Sequence, residues 1–425
     1  LVYAVETETI LILKGNIIFT PTSDQFVVFP KSYLVIHDGI VREIIEKLPE
    51  QYADCPLRDY GDRLIIPGFV DLHTHAPQFN QRGLGLDLQL LEWLNNYTFK
   101  EESRFQETTY AAAVYEKFAQ ELVRQGTTRV AAFATIHKES SQILFDTLVN
   151  KGIGAYVGKV NMDCNCPDSL REDTQTSLAE TEELIKQWAG NPLVKLIITP
   201  RFAITSTRNL LAGLGELAVK YNLPVQSHLS ENKAEVDFVA ELFPEQKEYH
   251  KVYDHYQLFG QTPTLMAHCI YLTDEAVAVM KNNGVVAVHC PDSNLNLSSG
   301  IMPARKLLTA GVKVGLGSDI GAGHDLFMPR TILKAVQMSK AIYSVDNDQK
   351  ALTLAEAFYM GTKGGGAFFG KVGSFEQGYS CDALVIDDDM GRVEGQSLIE
   401  RLQRFIYTGD SVNIVARYVA GREVK

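Results

Sequence analysis

A chain of 425 residues, 45% hydrophobic and 22% charged, holds either one large barrel with attachments or two to three domains, which excludes a mini-protein and wholesale disorder. Lys and Arg total 40 against 52 Asp and Glu, a net charge of −12 with no basic cluster to offset it, so nucleic acid is excluded as a partner. Six cysteines, Cys55, Cys164, Cys166, Cys269, Cys290 and Cys381, are too sparse for a disulfide framework and fit a reducing cytosol. The chain opens Leu1-Val2-Tyr3, and Glu6 and Glu8 interrupt its first apolar stretch, so no secretory leader is expected. No apolar run approaches the roughly 20 residues that span a bilayer. The expectation is a soluble, cytoplasmic protein without a membrane partner.

In chain order, residues 10–20, 25–36 and 40–46 read as strands joined by turn signals such as His37-Asp38-Gly39. From Phe69 to about Lys340, short β-branched runs alternate with longer amphipathic stretches, the pattern of parallel strands joined by crossover helices. Eight runs stand out: 69–75, 128–135, 154–160, 194–200, 224–229, 264–269, 285–290 and 313–319. Among the intervening helices, 111–124 stops at Gly126 and 207–220 offers Thr207 at its start. The glycine-rich 361–366 lacks the order of a phosphate loop and reads as a turn, while 383–387 and 412–419 resemble the first strands. The predicted fold class is α/β: a (β/α)₈ TIM-like barrel over 63–370, with a small β-sandwich domain built from both termini, 1–62 and 371–425.

In such a barrel the reactive groups stand at the C-terminal ends of the strands. His73-Thr74-His75 offers two imidazoles on one face of the first strand. His228, His268, His289 and Asp319 fall at the ends of the fifth to eighth runs, and His324 lies just beyond. His37, His137, His250 and His255 sit in turn-like or helical surroundings and receive no role. Three imidazoles and a carboxylate suit a divalent ion such as zinc or iron, leaving a position for water that the ion would activate near neutral pH. Asp319 can receive the proton as water attacks, and Glu231, just after His228, could relay it to the substrate; the alternative for Glu231 is an ordinary carboxylate at a helix N-terminus. The fourth run ends Thr199-Pro200-Arg201 with no bridging carboxylate or lysine, which favours one ion per chain. Arg201 is then free to bond a substrate oxygen, or else serves a structural salt bridge. Cys164-Asn165-Cys166 reads as a loop, and alternation along the strands would turn Cys269 and Cys290 away from the histidines.

Pro67-Gly68-Phe69-Val70-Asp71-Leu72-His73-Thr74-His75, His228, His268, Gly315-Leu316-Gly317-Ser318-Asp319 and the late 378–385, containing Asp382-Ala383, resemble the amidohydrolase superfamily in order and spacing. Within it, longer strings resemble the guanine deaminase family over nearly the whole chain: Ala76-Pro77-Gln78-Phe79, Leu91-Glu92-Trp93-Leu94, Tyr97-Thr98-Phe99, Thr199-Pro200-Arg201-Phe202-Ala203, Ser227-His228-Leu229-Ser230-Glu231-Asn232 and His289-Cys290-Pro291-Asp292-Ser293-Asn294. Lys100 departs from it, standing where the family has proline, and His324 matches no family role. The resemblance implies Zn2+ (Fe2+ is the other candidate) held by His73, His75, His228 and Asp319, with His268 beside the activated water and Glu231 as proton shuttle. It further implies Gln78 and Arg201 reading a purine edge, Phe202 lining the pocket, guanine as substrate in purine catabolism, and a homodimer. Two other readings stay open: a related hydrolase that deaminates or dechlorinates another nitrogen heterocycle, and a scaffold without activity.

Overall fold

The strand Leu57–Pro67 carries Leu64, Ile65 and Ile66 into a sheet where each faces a cross-strand partner on Ala383–Ile386: Leu64 opposite Ile386, Ile65 opposite Val385, Ile66 opposite Leu384. Successive strand side chains point to opposite faces. Ile65 and Val385 therefore join one apolar cluster, while Leu64, Ile66, Leu384 and Ile386 join the main core on the other side. In this computed structural model, which describes residues 9–347, 350–389 and 392–425, the sheet has seven strands. Their order is Arg422–Glu423, Ile414–Val419, Ala383–Ile386, Leu57–Pro67, Ile10–Thr22, Gln25–His37 and Ile40–Ile45. Strands from both ends of the chain thus share one hydrogen-bonded sheet. Phe19, Leu34 and Ile36 from one half of it meet Ala416 and Tyr418 from the other in a single cluster, so the sheet curves over on itself. The opening residues Leu1, Val2, Tyr3, Glu6 and Glu8 lie outside the described residues.

Of Leu57–Pro67, the sequence pattern marks only Leu64-Ile65-Ile66 as strand-like. Arg58, Asp59, Gly61, Asp62 and Arg63 mask its apolar half, yet it sits mid-sheet, parallel to Ile10–Thr22, and delivers the chain directly to Phe69. The glycine-rich 361–366 is also corrected. It continues the helix Leu354–Tyr359 as a widened helical turn, Met360–Gly364, whose Lys363 ammonium bonds the Pro21 carbonyl and the Glu376 carboxylate. Tertiary bonds to Lys363 hold in a helix what glycine content alone favours as a turn.

Eight parallel strands follow the expected alternation in two four-stranded sheets. Phe69–His75, Thr127–Phe133, Gly154–Gly158 and Val194–Leu196 form one; Val225–Leu229, Thr264–His268, Val286–His289 and Lys313–Leu316 form the other. At one seam, Ile198 N donates to Pro224 O and Gln226 N to Ile198 O, both at 2.9 Å. At the other, His75 N donates to Ile320 O at 2.7 Å and Asp319 N to His73 O at 2.8 Å. The fold is mixed α/β and of the TIM-barrel type. Between the strands, Thr108–Gln125 ends on Gly126 at φ 83°, the left-handed stop glycine tolerates best. Arg208–Tyr221 starts where the Thr207 hydroxyl accepts from Leu210 N. The sheet and the body are pinned by Arg129, whose guanidinium donates to both oxygens of buried Asp382 at 2.6 and 2.9 Å.

Candidate active site

The strand ends bring His73, His75, His228, His268 and Asp319 to one point. His75 and His268 close their strands, His228 is the penultimate residue of its own, and Asp319 follows three residues after Leu316. Gly317 makes this approach possible, because a Cβ there would lie 2.7 Å from His73 Cβ and 3.0 Å from His73 O. Asp71, which sequence reasoning passed over, ties both segments together: its buried carboxylate accepts from His73 N at 3.2 Å and from Ser318 N at 3.0 Å. Burial pushes the Asp71 carboxyl up to about 6 despite these bonds. Ser230, His268, Cys269 and Asp319 all hold left-handed backbone, which non-glycine residues adopt at a cost that a packed site imposes.

Four donor atoms face one another across short gaps. His75 Nε2 lies 3.1 Å from His228 Nε2, His73 Nε2 lies 3.2 Å from Asp319 Oδ1, and His75 Nε2 lies 3.5 Å from the same oxygen. His228 Nδ1 donates to the Arg201 carbonyl at 2.6 Å, so its Nε2 presents a lone pair toward His75. Among the described residues, His73 Nε2 and His268 Nε2 are buried without a hydrogen-bond partner. Two donors about 2.1 Å from one ion, about 100° apart, stand about 3.2 Å from each other, so this set fits a divalent first-row ion. Burial, then the proximity of His73, holds His75 and His228 well below the ordinary imidazole range, hence neutral and able to donate lone pairs. Burial opposes ionisation of Asp319, but His73 and the neighbouring imidazoles outweigh it and hold the carboxyl below its usual range.

Above these donors opens a small pocket. Its polar wall is His75, Gln78, Arg201, His228, Glu231, His268 and Asp319; its apolar wall is Leu90, Trp93, Leu94, Phe202, Leu297 and Ala322. Every proposed substrate contact therefore lines the same space as the ligand cluster. Glu231 Oε2 lies 3.4 Å from His268 Nε2, and burial, then Asp319 and Glu235, pushes its carboxyl well above the usual range. The alternative reading of Glu231 belongs instead to Glu235. The helix is Lys233–Leu242, Asn232 caps it, and Glu235 accepts from the backbone of Glu231 and Asn232 at 2.7 and 3.1 Å. His268 Nδ1 is held by Asn294 Oδ1 at 2.9 Å.

Arg201 makes the structural salt bridge of the second reading while also lining the cavity. Its guanidinium borders the cavity and also pairs with buried Glu102 at 2.5 Å, while the other Glu102 oxygen accepts from Gln78 Nε2 at 2.8 Å. Glu102 escaped the sequence reading; the signal was its spacing from Phe99, since both are buried on the short helix Phe99–Ser103. Lys100 is exposed on that helix. Cys290 is a correction: its thiol lies within 4.8 Å of donor atoms of His73, His268 and Asp319. The strand ends at His289, so alternation no longer governs the next side chain, and Cys290 packs with Val70, Leu72 and Val288. Cys269 is buried in the main core, and Cys164 and Cys166 lie in a loop with their thiols pushed up by burial to about 12 and about 11. His289 is buried but does not line the cavity, and His324 is exposed and meets Asn296 instead.

The amidohydrolase family pattern matches residues 64–424. A guanine deaminase of Dictyostelium discoideum is 36% identical over 443 aligned positions, covering 98% of each chain. The crystal structure of a guanine deaminase from C. acetobutylicum, with guanine bound in its active site, superposes with a TM-score of 0.97 at 51% identity, over 98% of this chain and 100% of that one. An adenosine deaminase from Xanthomonas campestris with bound zinc superposes with a TM-score of 0.84 at 25% identity, over 97% and 92% of the two chains.

Proposed function

Since the chain belongs to the amidohydrolase family, and within it to the guanine deaminases, we propose that it hydrolyses guanine to xanthine and ammonia in purine catabolism. The observation that carries this reading is one cavity lined both by members of a divalent-ion donor set and by Gln78 and Arg201, whose side chains share the Glu102 carboxylate. His73, His75, His228 and Asp319 would hold one Zn2+ per chain, with Fe2+ the alternative from the same ligand set. When bound, that ion supplies a water nucleophile near neutral pH.

The protein's own groups do the rest. Gln78 and Arg201 hold the guanine carbonyl and so aim carbon 2 of the ring at the nucleophile, while Phe202, Trp93, Leu90 and Leu94 exclude water. Asp319, with His268 beside it, takes the proton from the attacking water. Glu231, kept protonated by its buried setting, gives a proton to the ring nitrogen next to carbon 2 as aromaticity is lost. The tetrahedral adduct then expels ammonia, the amine taking the proton held by Asp319 while the new hydroxyl returns one to Glu231. Adenine would present a donor to the donors of Arg201 and Gln78, which disfavours it.

The two four-stranded sheets and their seam bonds support one closed (β/α)₈ barrel over 63–370. The curved terminal sheet supports a small sandwich assembled from 1–62 and 371–425, with Leu57–Pro67 as the hand-over. Six unpaired cysteines fit a cytoplasmic setting, and homodimerisation rests on the family resemblance. No helix of the described residues is long and apolar enough to cross a membrane. The test is xanthine formation from guanine by purified protein with and without a chelator, then with zinc or iron restored. Conversion of another ring with guanine left untouched would reject the substrate assignment.

A further inference from the structure

We infer that Glu102 is a positioning residue that sets which ring edge the pocket accepts, an inference that rests on the guanine reading above. Its carboxylate is 1% exposed and is divided between two partners that both line the cavity. Oε1 accepts from Gln78 Nε2 at 2.8 Å, and Oε2 pairs with Arg201 Nη1 at 2.5 Å. The Gln78 amide is fixed from its other side as well, because its oxygen accepts from Gly321 N at 3.0 Å. With that oxygen occupied and one N–H on Glu102, the second N–H is what Gln78 has left for a ligand. Arg201 stacks over Phe99, its guanidinium carbon 5.3 Å from the ring centroid, and Phe99 lies on the same short helix as Glu102. One anion thus aims two donors side by side and neutralises a guanidinium that is only 3% exposed.

The ligand chemistry follows. Two adjacent donors, already charge-balanced, favour a neutral ring that turns an acceptor edge toward them, such as the 6-carbonyl and N7 of a 6-oxopurine. They disfavour an exocyclic amine at that position. A glutamine at position 102 would accept from one partner but turn its own NH2 toward the other's donor, releasing one of the two and leaving the guanidinium uncompensated.

The test is calorimetric titration of metal-loaded protein with hypoxanthine and with unsubstituted purine, which differ in the 6-carbonyl. In Glu102→Gln the preference for hypoxanthine over purine should fall at least about tenfold, with purine affinity changed by less than about threefold and metal content unchanged. A merely structural role would weaken both ligands alike, and that result, or an unchanged preference, overturns the inference. If Glu102→Gln does not fold, the same ratio is read in Glu102→Asp, whose shorter arm reaches only one partner; an unchanged ratio there overturns it equally. Failure of the native protein to convert guanine would count against the proposed function. Guanine turnover with an unaltered ligand preference in the variant would count against Glu102 alone.

Discussion

Replacing Glu231 with glutamine keeps the shape of the side chain and removes the one proton it can give. The variant leaves His73, His75, His228 and Asp319 untouched, so the ion should remain bound. Proton transfer by a positioned side chain is worth about 10²–10⁴ in rate, or roughly 2.7–5.4 kcal/mol of barrier. The upper half of that range is expected here. The Glu231 carboxyl is buried and pushed well above the usual range, the direction that favours the protonated form a proton donor needs. Its neighbour His268, at 3.4 Å, is itself fixed by Asn294 and is a poor substitute carrier. The assay is xanthine absorbance under saturating guanine, paired with elemental analysis of the same sample. Expected is a kcat lower by about 10³ or more at full metal content. A metal-replete variant within tenfold of the native rate would show that the proton travels by another route.

His73→Ala should lose both ion and turnover, and its melting temperature should cease to respond to added zinc; an ion retained at full stoichiometry would remove His73 from the ligand set. Arg201→Met keeps the backbone carbonyl that holds His228, so metal content should stand while kcat/KM for guanine falls about 10²-fold or more; unchanged kcat/KM would dismiss the ring-reading role. Asp382→Asn strands a buried guanidinium and should cost about 3–5 kcal/mol in denaturant unfolding; a loss under about 1 kcal/mol would mean that Arg129 finds another partner. His289 is buried, and its imidazole is depressed to about 3, first by burial and then by His268. Its contribution is present above the unfolded value near 6.5 and is lost as pH falls toward about 3, amounting to about 2 kcal/mol between pH 7.5 and 5. His289→Gln should flatten that part of the stability profile by this amount, and an identical slope in both proteins would refute the assignment.

The alternation of β-branched runs with helical stretches determined eight strand positions, because a strand buried on both faces needs apolar side chains at nearly every residue. The same logic placed His73, His75, His228, His268 and Asp319 together, since all stand where parallel strands end and the barrel type gathers such ends on one rim. Beyond Leu64-Ile65-Ile66, the strand Leu57–Pro67 was hidden because its outer half is charged and one pairing partner, Ala383–Ile386, lies more than 300 residues away. Glu102 and Asp71 were illegible for a related reason. A buried carboxylate is explained only by the donors brought to it, and those of Glu102 come from Gln78 and Arg201 on separate segments. Cys290 turned inward because the strand stopped one residue before it, a boundary that tertiary packing sets. Local pattern therefore determined which residues could carry chemistry. Only the closed chain decided which carboxylate aims them, because long-range hydrogen bonds are a property of the assembled fold.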